Sequence, residues 1–333
     1  MPREPRRRSP AALAGTVVAT GVVAAGAAVV GAPDWFGLAG ERPFVWTVPF
    51  RVPVGLGLAG LAVLTGLTGL RWRRTLPAAT ALALAAAGSL GTTLARGVSA
   101  GELPAARAGD VTVLAANVFL ARADREGVAR LAVDGRADVV SLPESTREYA
   151  DDVATRIERA TGTGVQVFFR DDRDGRFGTA LLVADRLGEY RVTGELTDGI
   201  KAVVTAAPVS GQGPVLAAAH TAAPVPELLA PWAVEVQAVA DWCARTPGAL
   251  LAGDLNATLD HPGLHLRGSC VDAGEQTGTG ARGTWPAGHS ALLGATIDHA
   301  LADGNRWRAV GSRVETIPGS DHRALLSRWR PVG

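Results

Sequence analysis

Apolar positions follow two different patterns along this chain. Residues 11–95 hold few charges and form three long apolar runs, 11–32, 52–70 and 76–95. Residues 101–333 instead alternate short apolar runs with polar turns, as a globular domain does. The first run has no charged residue, and about 22 residues at about 1.5 Å each make a helix of about 33 Å, enough to cross a bilayer core. A cleaved signal peptide also places bases such as Arg3, Arg6, Arg7 and Arg8 before an apolar core. The length of the run and the two runs behind it favour retained spans.

The bases orient these spans. Arg6 to Arg8 and Arg71, Arg73 and Arg74 mark cytoplasmic ends, whereas the 33–51 loop offsets Arg42 and Arg51 with Asp34 and Glu41 and supplies Trp35, Trp46 and Phe50 as interface aromatics. Three spans with a cytoplasmic N-terminus make a multi-pass plasma-membrane protein embedded in the lipid bilayer, with its C-terminal domain outside. Gly55, Gly57, Gly60, Gly66 and Gly69 suit close helix packing in lipid, and equally suit generic span composition.

Past a linker at 98–109, the pattern reads as a strand at 111–117, a helix near 125–133, a strand at 138–144 and a helix at about 146–160. Strands follow at 165–169 and 179–183 around an Arg/Asp/Gly-rich turn at 170–176, then at 201–206 and 215–220. A helix at about 226–245 leads to a buried strand at 249–254, and the final third reads as short strands with long loops, including a Gly-rich stretch at 274–283. Such a mixture predicts an α+β domain at 110–333, two packed sheets with helices on their outer faces.

Charge and cysteine narrow the chemistry. With Lys+Arg 33 against Asp+Glu 32 the formal net charge is +1, so no global basic field favours tight nonspecific nucleic-acid binding. Cys243 and Cys270 have no CxxC spacing, which excludes a thiolate zinc site; they can pair in an exported domain or stay as two buried thiols.

Apolar runs end repeatedly in polar side chains: Asn117, Glu144, His220, Asp254-Leu255-Asn256, Asp298 and Ser320-Asp321-His322. Strands ending this way push carboxylate, amide and imidazole groups out at one rim of a sheet, where a hydrolytic metal site can be assembled. Phosphoester hydrolysis needs a divalent cation, an activated water and donors for the transition state. Mg²⁺ or Mn²⁺ prefers carboxylate oxygen, which makes Glu144 the best ligand candidate. Asp254 and Asn256, two apart on extended chain, point the same way. A His held by a carboxylate, as His322 by Asp298, has a fixed tautomer and a stabilised charged form. His261, His265, His289 and His299 read as surface or packing residues, Trp285 as packing beneath the site, and Arg170, Arg173 and Arg176 as a solvated turn or phosphate contacts.

In this order the clusters resemble the endonuclease/exonuclease/phosphatase superfamily, the fold of deoxyribonuclease I, over about residues 109–331, and most of all its bacterial membrane-anchored branch. The resemblance implies a four-layer α/β/β/α sandwich and a metal set of Asn117, Glu144 and Asp321. It also implies that Asp254 positions or deprotonates the attacking water, that Asn256 donates to a phosphoryl oxygen, that Asp298 orients His322, and that His220 protonates the leaving oxygen or contacts phosphate. Where the family commonly has Gln-Glu this chain has Pro143-Glu144, and the sequence does not single out which residue corresponds to the family's Tyr, Asp or Arg between the second and third motifs. The expected activity is metal-dependent hydrolysis of a phosphodiester or phosphomonoester in nucleic acid, lipid or a small phosphate ester. A catalytically silent, membrane-tethered binding module of the same fold is the alternative.

Overall fold

The computed structural model describes residues 10–194, 196, 199–266 and 268–332. It divides the chain into two compact units, residues 1–93 and 94–333. Arg3, Arg6, Arg7 and Arg8, used above to orient the spans, lie outside the described residues.

In the first unit α1 (Pro10–Gly31), a short α2 (Phe44–Thr47), α3 (Arg51–Gly69) and α4 (Leu76–Arg96, whose end enters the second unit) follow the apolar runs. The segments Ala14–Gly31, Phe44–Gly69 and Arg73–Arg96 are each long and apolar enough to cross a membrane. Val17, Val18 and Val22 on α1 stand 66–68% exposed, an aliphatic surface that lipid would cover. A small cluster of Ala27, Leu58, Ala62, Leu82 and Ala86 packs the helices together. Of the glycines expected at helix contacts, Gly55 fills that role, since a Cβ there would lie 2.7 Å from Leu90 Cγ; Gly57 and Gly60 face open space. Ser89 Oγ donates to Arg51 O at 3.0 Å, and Arg51 pairs with Asp34 at 2.6 Å.

The second unit runs β1 (Gly101–Glu102), β2 (Val111–Ala115), α5 (Arg125–Gly135), β3 (Val139–Ser145), α6 (Arg147–Thr161), β4 (Val165–Asp171), β5 (Gly178–Ala184) and β6 (Tyr190–Gly194). It continues with β7 (Val203–Pro208), β8 (Val215–His220), α7 (Leu229–Arg245), β9 (Ala249–Asp254), β10 (Cys270–Asp272), α8 (Ala273–Thr277), β11 (Asp298–Asp303), β12 (Trp307–Thr316) and β13 (Arg323–Pro331). Asp124 caps α5 through Gly127 N and Thr146 caps α6 through Tyr149 N, each satisfying an amide that the first helical turn leaves free.

One sheet has the order β1-β12-β13-β2-β3-β5-β4 and the other β10-β11-β9-β8-β7-β6. Each holds one parallel pair, β2 with β3 and β8 with β9, and is otherwise antiparallel. The two sheets face each other through Val113, Ala115, Leu181 and Val183 on one side and Val204, Leu216, Leu250 and Ala300 on the other. The outer face of the first sheet, with Leu114, Val140, Leu142 and Leu182, is covered by Val128 of α5 and Tyr149, Val153 and Ile157 of α6. On the second sheet α7 buries Trp232, Val236, Val239 and Cys243. The result is the four-layer α/β/β/α sandwich.

Two features depart from the sequence reading. Residues 98–109 lie against the domain: β1 pairs with β12, and Ser99 N donates to Gly278 O at 3.1 Å. The final third is built on β12 and β13, of 10 and 9 residues, instead of short strands. Of the two states left open for the cysteines, the structure has the disulfide, which joins α7 to β10 with Cα atoms 5.6 Å apart.

Candidate active site

The C-terminal ends of both parallel pairs open toward one place. In the register of β8 and β9, His220 lies beside Asp254, so the last residues of two neighbouring strands arrive together. On the facing sheet, Asn117 follows β2, and Glu144 sits in an irregularity of β3 between Leu142 and Ser145. Glu144 has a φ of 57°, a left-handed backbone that a non-glycine residue adopts only when held there.

Two elements hold it. Asn117, fully buried, donates through Nδ2 to Glu144 Oε1 at 3.0 Å and to Asp254 Oδ2 at 2.9 Å. One amide thereby joins a carboxylate from each sheet. Phe119, Leu120 and Ala121 then form a left-handed turn, with φ of 47°, 55° and 59°, and Leu120 N donates to Glu144 Oε2 at 3.1 Å while Ala121 N donates to Glu144 O at 2.9 Å.

Asp254 ends β9 at 1% exposure, and its Oδ1 accepts from Asn256 N at 2.8 Å. Asn256, at φ 44°, donates from Nδ2 to Thr221 O at 2.9 Å. On the other flank His322 Nδ1 lies 2.8 Å from Asp298 Oδ2, and Nε2 lies 3.7 Å from Asp254 Oδ2. Ser320 Oγ links this segment to the first strand end by donating to Asn117 O at 2.8 Å, and it accepts from His322 N at 3.0 Å. Thr284 Oγ1 accepts from both Ile297 N and Asp298 N at 3.1 Å, fixing the start of β11.

Burial and neighbouring charge set the protonation of this group. Burial raises the Asp254 carboxyl to about 7, although the His322 charge and the Asn256 and Asn117 donors pull the other way. Burial pushes His322 down, but Asp298 and Asp254 outweigh it and bring its pKa to about 10. Burial, with the charges of Lys201 and His322, holds His220 well below the usual imidazole value, so its ring is neutral at pH 7.

Glu144, His220 and Asp254 offer ligand atoms all within 4.8 Å of one another, and Asp254, Asp298 and His322 form a second such group. Two carboxylate oxygens and a neutral imidazole nitrogen suit Mn²⁺, and the carboxylates alone suit Mg²⁺. Buried Asp298 Oδ1, Asp321 Oδ1 and His220 Nδ1 have no hydrogen-bond partner among the described residues, consistent with a polar site open to further ligands.

Of the metal set implied by the resemblance, Glu144 lies in the first of these groups. Asn117 presents its N–H groups to the carboxylates, and its oxygen accepts from Phe119 N at 2.9 Å. Asp321 stands outside both groups and accepts from Trp285 Nε1 at 3.2 Å, giving Trp285 a polar role beyond packing.

Sequence reasoning missed two supports. Glu235, 3% exposed on the buried face of α7, accepts from Ile200 N at 2.5 Å and Ala222 N at 2.7 Å, pinning the segment after His220; a carboxylate on an apolar helix stripe was its signal. Lys201 meets the buried Asp172 at 2.7 Å and tethers the 170–176 turn beside the site.

A two-sheet sandwich of the deoxyribonuclease I type, carrying a carboxylate–imidazole centre at the strand ends, defines the class. The profile of the Endonuclease/Exonuclease/phosphatase family matches residues 114–322, and the chain belongs to that family. Its fold is similar to an endonuclease/exonuclease/phosphatase structure from Beutenbergia cavernae DSM 12333, at 21% identity and TM-score 0.51, covering 67% of this chain and 72% of that one. Another from Bacteroides vulgatus matches at 15% identity and TM-score 0.51, covering 67% and 99%. The catalytic domain of human nocturnin, solved with a bound sulfate anion, matches at 13% identity and TM-score 0.50, covering 70% and 97%. Comparison with curated proteins finds no match.

Proposed function

We propose that the chain is a membrane-anchored phosphoesterase that uses Mg²⁺ or Mn²⁺ and cleaves a phosphodiester or phosphomonoester by in-line attack of water. The observation that carries this reading is the convergence of Glu144, Asp254, Asn117 and the Asp298–His322 pair from both sheets on one buried rim. Burying this many charged groups opposes folding unless they are paired, so a binding module would gain nothing by keeping them.

A divalent ion bound here would offset phosphate charge and favour attack by water. Glu144 and Asp254 would hold it, with His220 as a neutral nitrogen donor. Asp254 takes up the proton of the attacking water, and Asn256 and the His322 imidazolium face the phosphoryl oxygens, His322 returning a proton to the leaving oxygen. Asp298 fixes His322 by accepting from Nδ1, which leaves Nε2–H pointing at the reacting groups. Asp321 lies next to this imidazolium and adds to its charge stabilisation.

The proposal puts the domain outside the cytoplasm. The charge pattern around the spans supports this, as does the Cys243–Cys270 disulfide, which persists in oxidising compartments.

The test is hydrolysis by the full chain in detergent micelles, with and without Mg²⁺ or Mn²⁺, against single- and double-stranded DNA, RNA, phospholipids and small phosphomonoesters. Metal-dependent turnover that falls by about 10²- to 10⁴-fold in His322→Ala supports the reading and names the substrate class. A folded, metal-binding protein without turnover on any of these contradicts it.

A further inference from the structure

We infer that His299 is a positioning residue, part of a second buried acid–imidazole pair that holds the Asn256 turn in its reactive shape. This rests on the phosphoesterase reading. Asp298 and His299 are consecutive on β11, so their side chains leave opposite faces of the strand. Asp298 reaches His322; His299 reaches the other way, with Nδ1 3.0 Å from Asp272 Oδ2 and Nε2 2.9 Å from Ala257 O. Both neighbours are acceptors, so both ring nitrogens carry protons, and the ring is an imidazolium sealed at 1% exposure.

Ala257 directly follows Asn256, whose φ of 44° persists only if its surroundings fix it. Three carbonyls in the turn are tied from outside: Leu255 O by Thr221 Oγ1 at 2.5 Å, Asn256 O by Trp232 Nε1 at 3.0 Å and Ala257 O by His299. Of these donors His299 alone is charged, and charge-assisted bonds are the stronger kind. Three residues on, Arg96 grips Asp260 at 2.6 Å. The hydrolytic chemistry does not use this pair, and apolar packing would serve stability as well as a buried ion pair. What the pair supplies is a fixed Ala257 carbonyl, and with it a fixed Asn256.

The test compares two double variants of the full chain in detergent micelles. Asp272→Asn/His299→Leu removes the donor to Ala257 O. Asp272→Asn/His299→Gln keeps an amide donor there, and both retain the Asp272 contact to Glu275 N as an amide oxygen. Neither strands a buried carboxylate. The readouts are Mn²⁺-dependent hydrolysis of bis(p-nitrophenyl) phosphate and hydrogen exchange of residues 255–261.

The leucine variant should lose about 100-fold in kcat, with KM within about twofold of native and faster exchange at 255–261. The glutamine variant should stay within about tenfold of native kcat and keep native exchange. Equal behaviour of the two variants, whether both native or both impaired, overturns the inference. If the unaltered protein does not cleave the diester, the phosphoesterase reading loses support, and the exchange comparison alone decides the role of His299.

Discussion

Asp254 and His322 face each other at 3.7 Å with opposite needs for a proton. Asp254 must lose one to act as a base; burial raises its carboxyl in the metal-free site, and a bound divalent ion would lower it again. His322 must keep one, and its pKa, lowered by burial but carried to about 10 by Asp298 and Asp254, sets an alkaline limb. Hydrolysis should therefore fall as pH rises through the His322 value. Asp298→Asn removes the nearest raising charge, so the alkaline limb should move to lower pH and kcat should fall at least about tenfold. A pH–rate profile with an unmoved limb would show that Asp298 does not act through His322. Stability follows the same sign: the folded pKa of His322 lies above the unfolded value of about 6.5, so the pair's contribution is complete below that pH and is lost as pH rises through about 10.

At this scale the sequence was informative where partners are close in the chain. Asp254 and Asn256 stand two apart, and the structure keeps them together, though Asn256 leaves the extended conformation that period-two reasoning assumes. Asn117 was visible as a strand end but not as a bridge, because the carboxylates it joins lie 27 and 137 residues away. His299 was hidden for the same reason, with its partners 27 and 42 residues distant.

Among the elements, the left-handed turn 119–121 is the least expected. Each non-glycine residue in that conformation costs about 1–2 kcal/mol, and the turn returns this by giving two amides to Glu144. Ala121→Gly should therefore raise unfolding stability by about 0.5–1 kcal/mol with native activity, read from denaturant midpoints. A loss of stability would mean the backbone there is not strained. The Cys243–Cys270 bond closes a loop across α7 and β9, and Cys243→Ser/Cys270→Ser should cost about 3–4 kcal/mol by the same measurement. An unchanged midpoint would show that the bond does not constrain the unfolded chain. The strands near the first motifs were legible because their runs are short and bounded by turns. β13 was not: it buries Ala324, Leu325, Leu326, Ser327, Arg328 and Trp329 in succession, so no alternation survives. Arg328 tolerates that burial by donating to Thr112 Oγ1, Gly135 O and Pro104 O, acceptors that lie 193 to 224 residues away from it in the chain.

For the whole molecule, the proposal joins three helices long and apolar enough to cross a membrane to a disulfide-bearing domain outside the cytoplasm. Protease added to intact spheroplasts should cleave the 94–333 domain, whereas sealed inside-out vesicles should protect it; the reverse pattern would invert the proposed topology. The central claim is that carboxylates from two sheets jointly hold a divalent ion for phosphoester cleavage. The most direct measurement is the Mn²⁺ dependence of bis(p-nitrophenyl) phosphate hydrolysis by the full chain, beside Glu144→Gln. The account predicts saturable activation by Mn²⁺, abolished by a chelator, with Glu144→Gln needing at least about tenfold more metal. Turnover that is indifferent to the chelator, or a Glu144→Gln protein with an unchanged Mn²⁺ requirement, would contradict it.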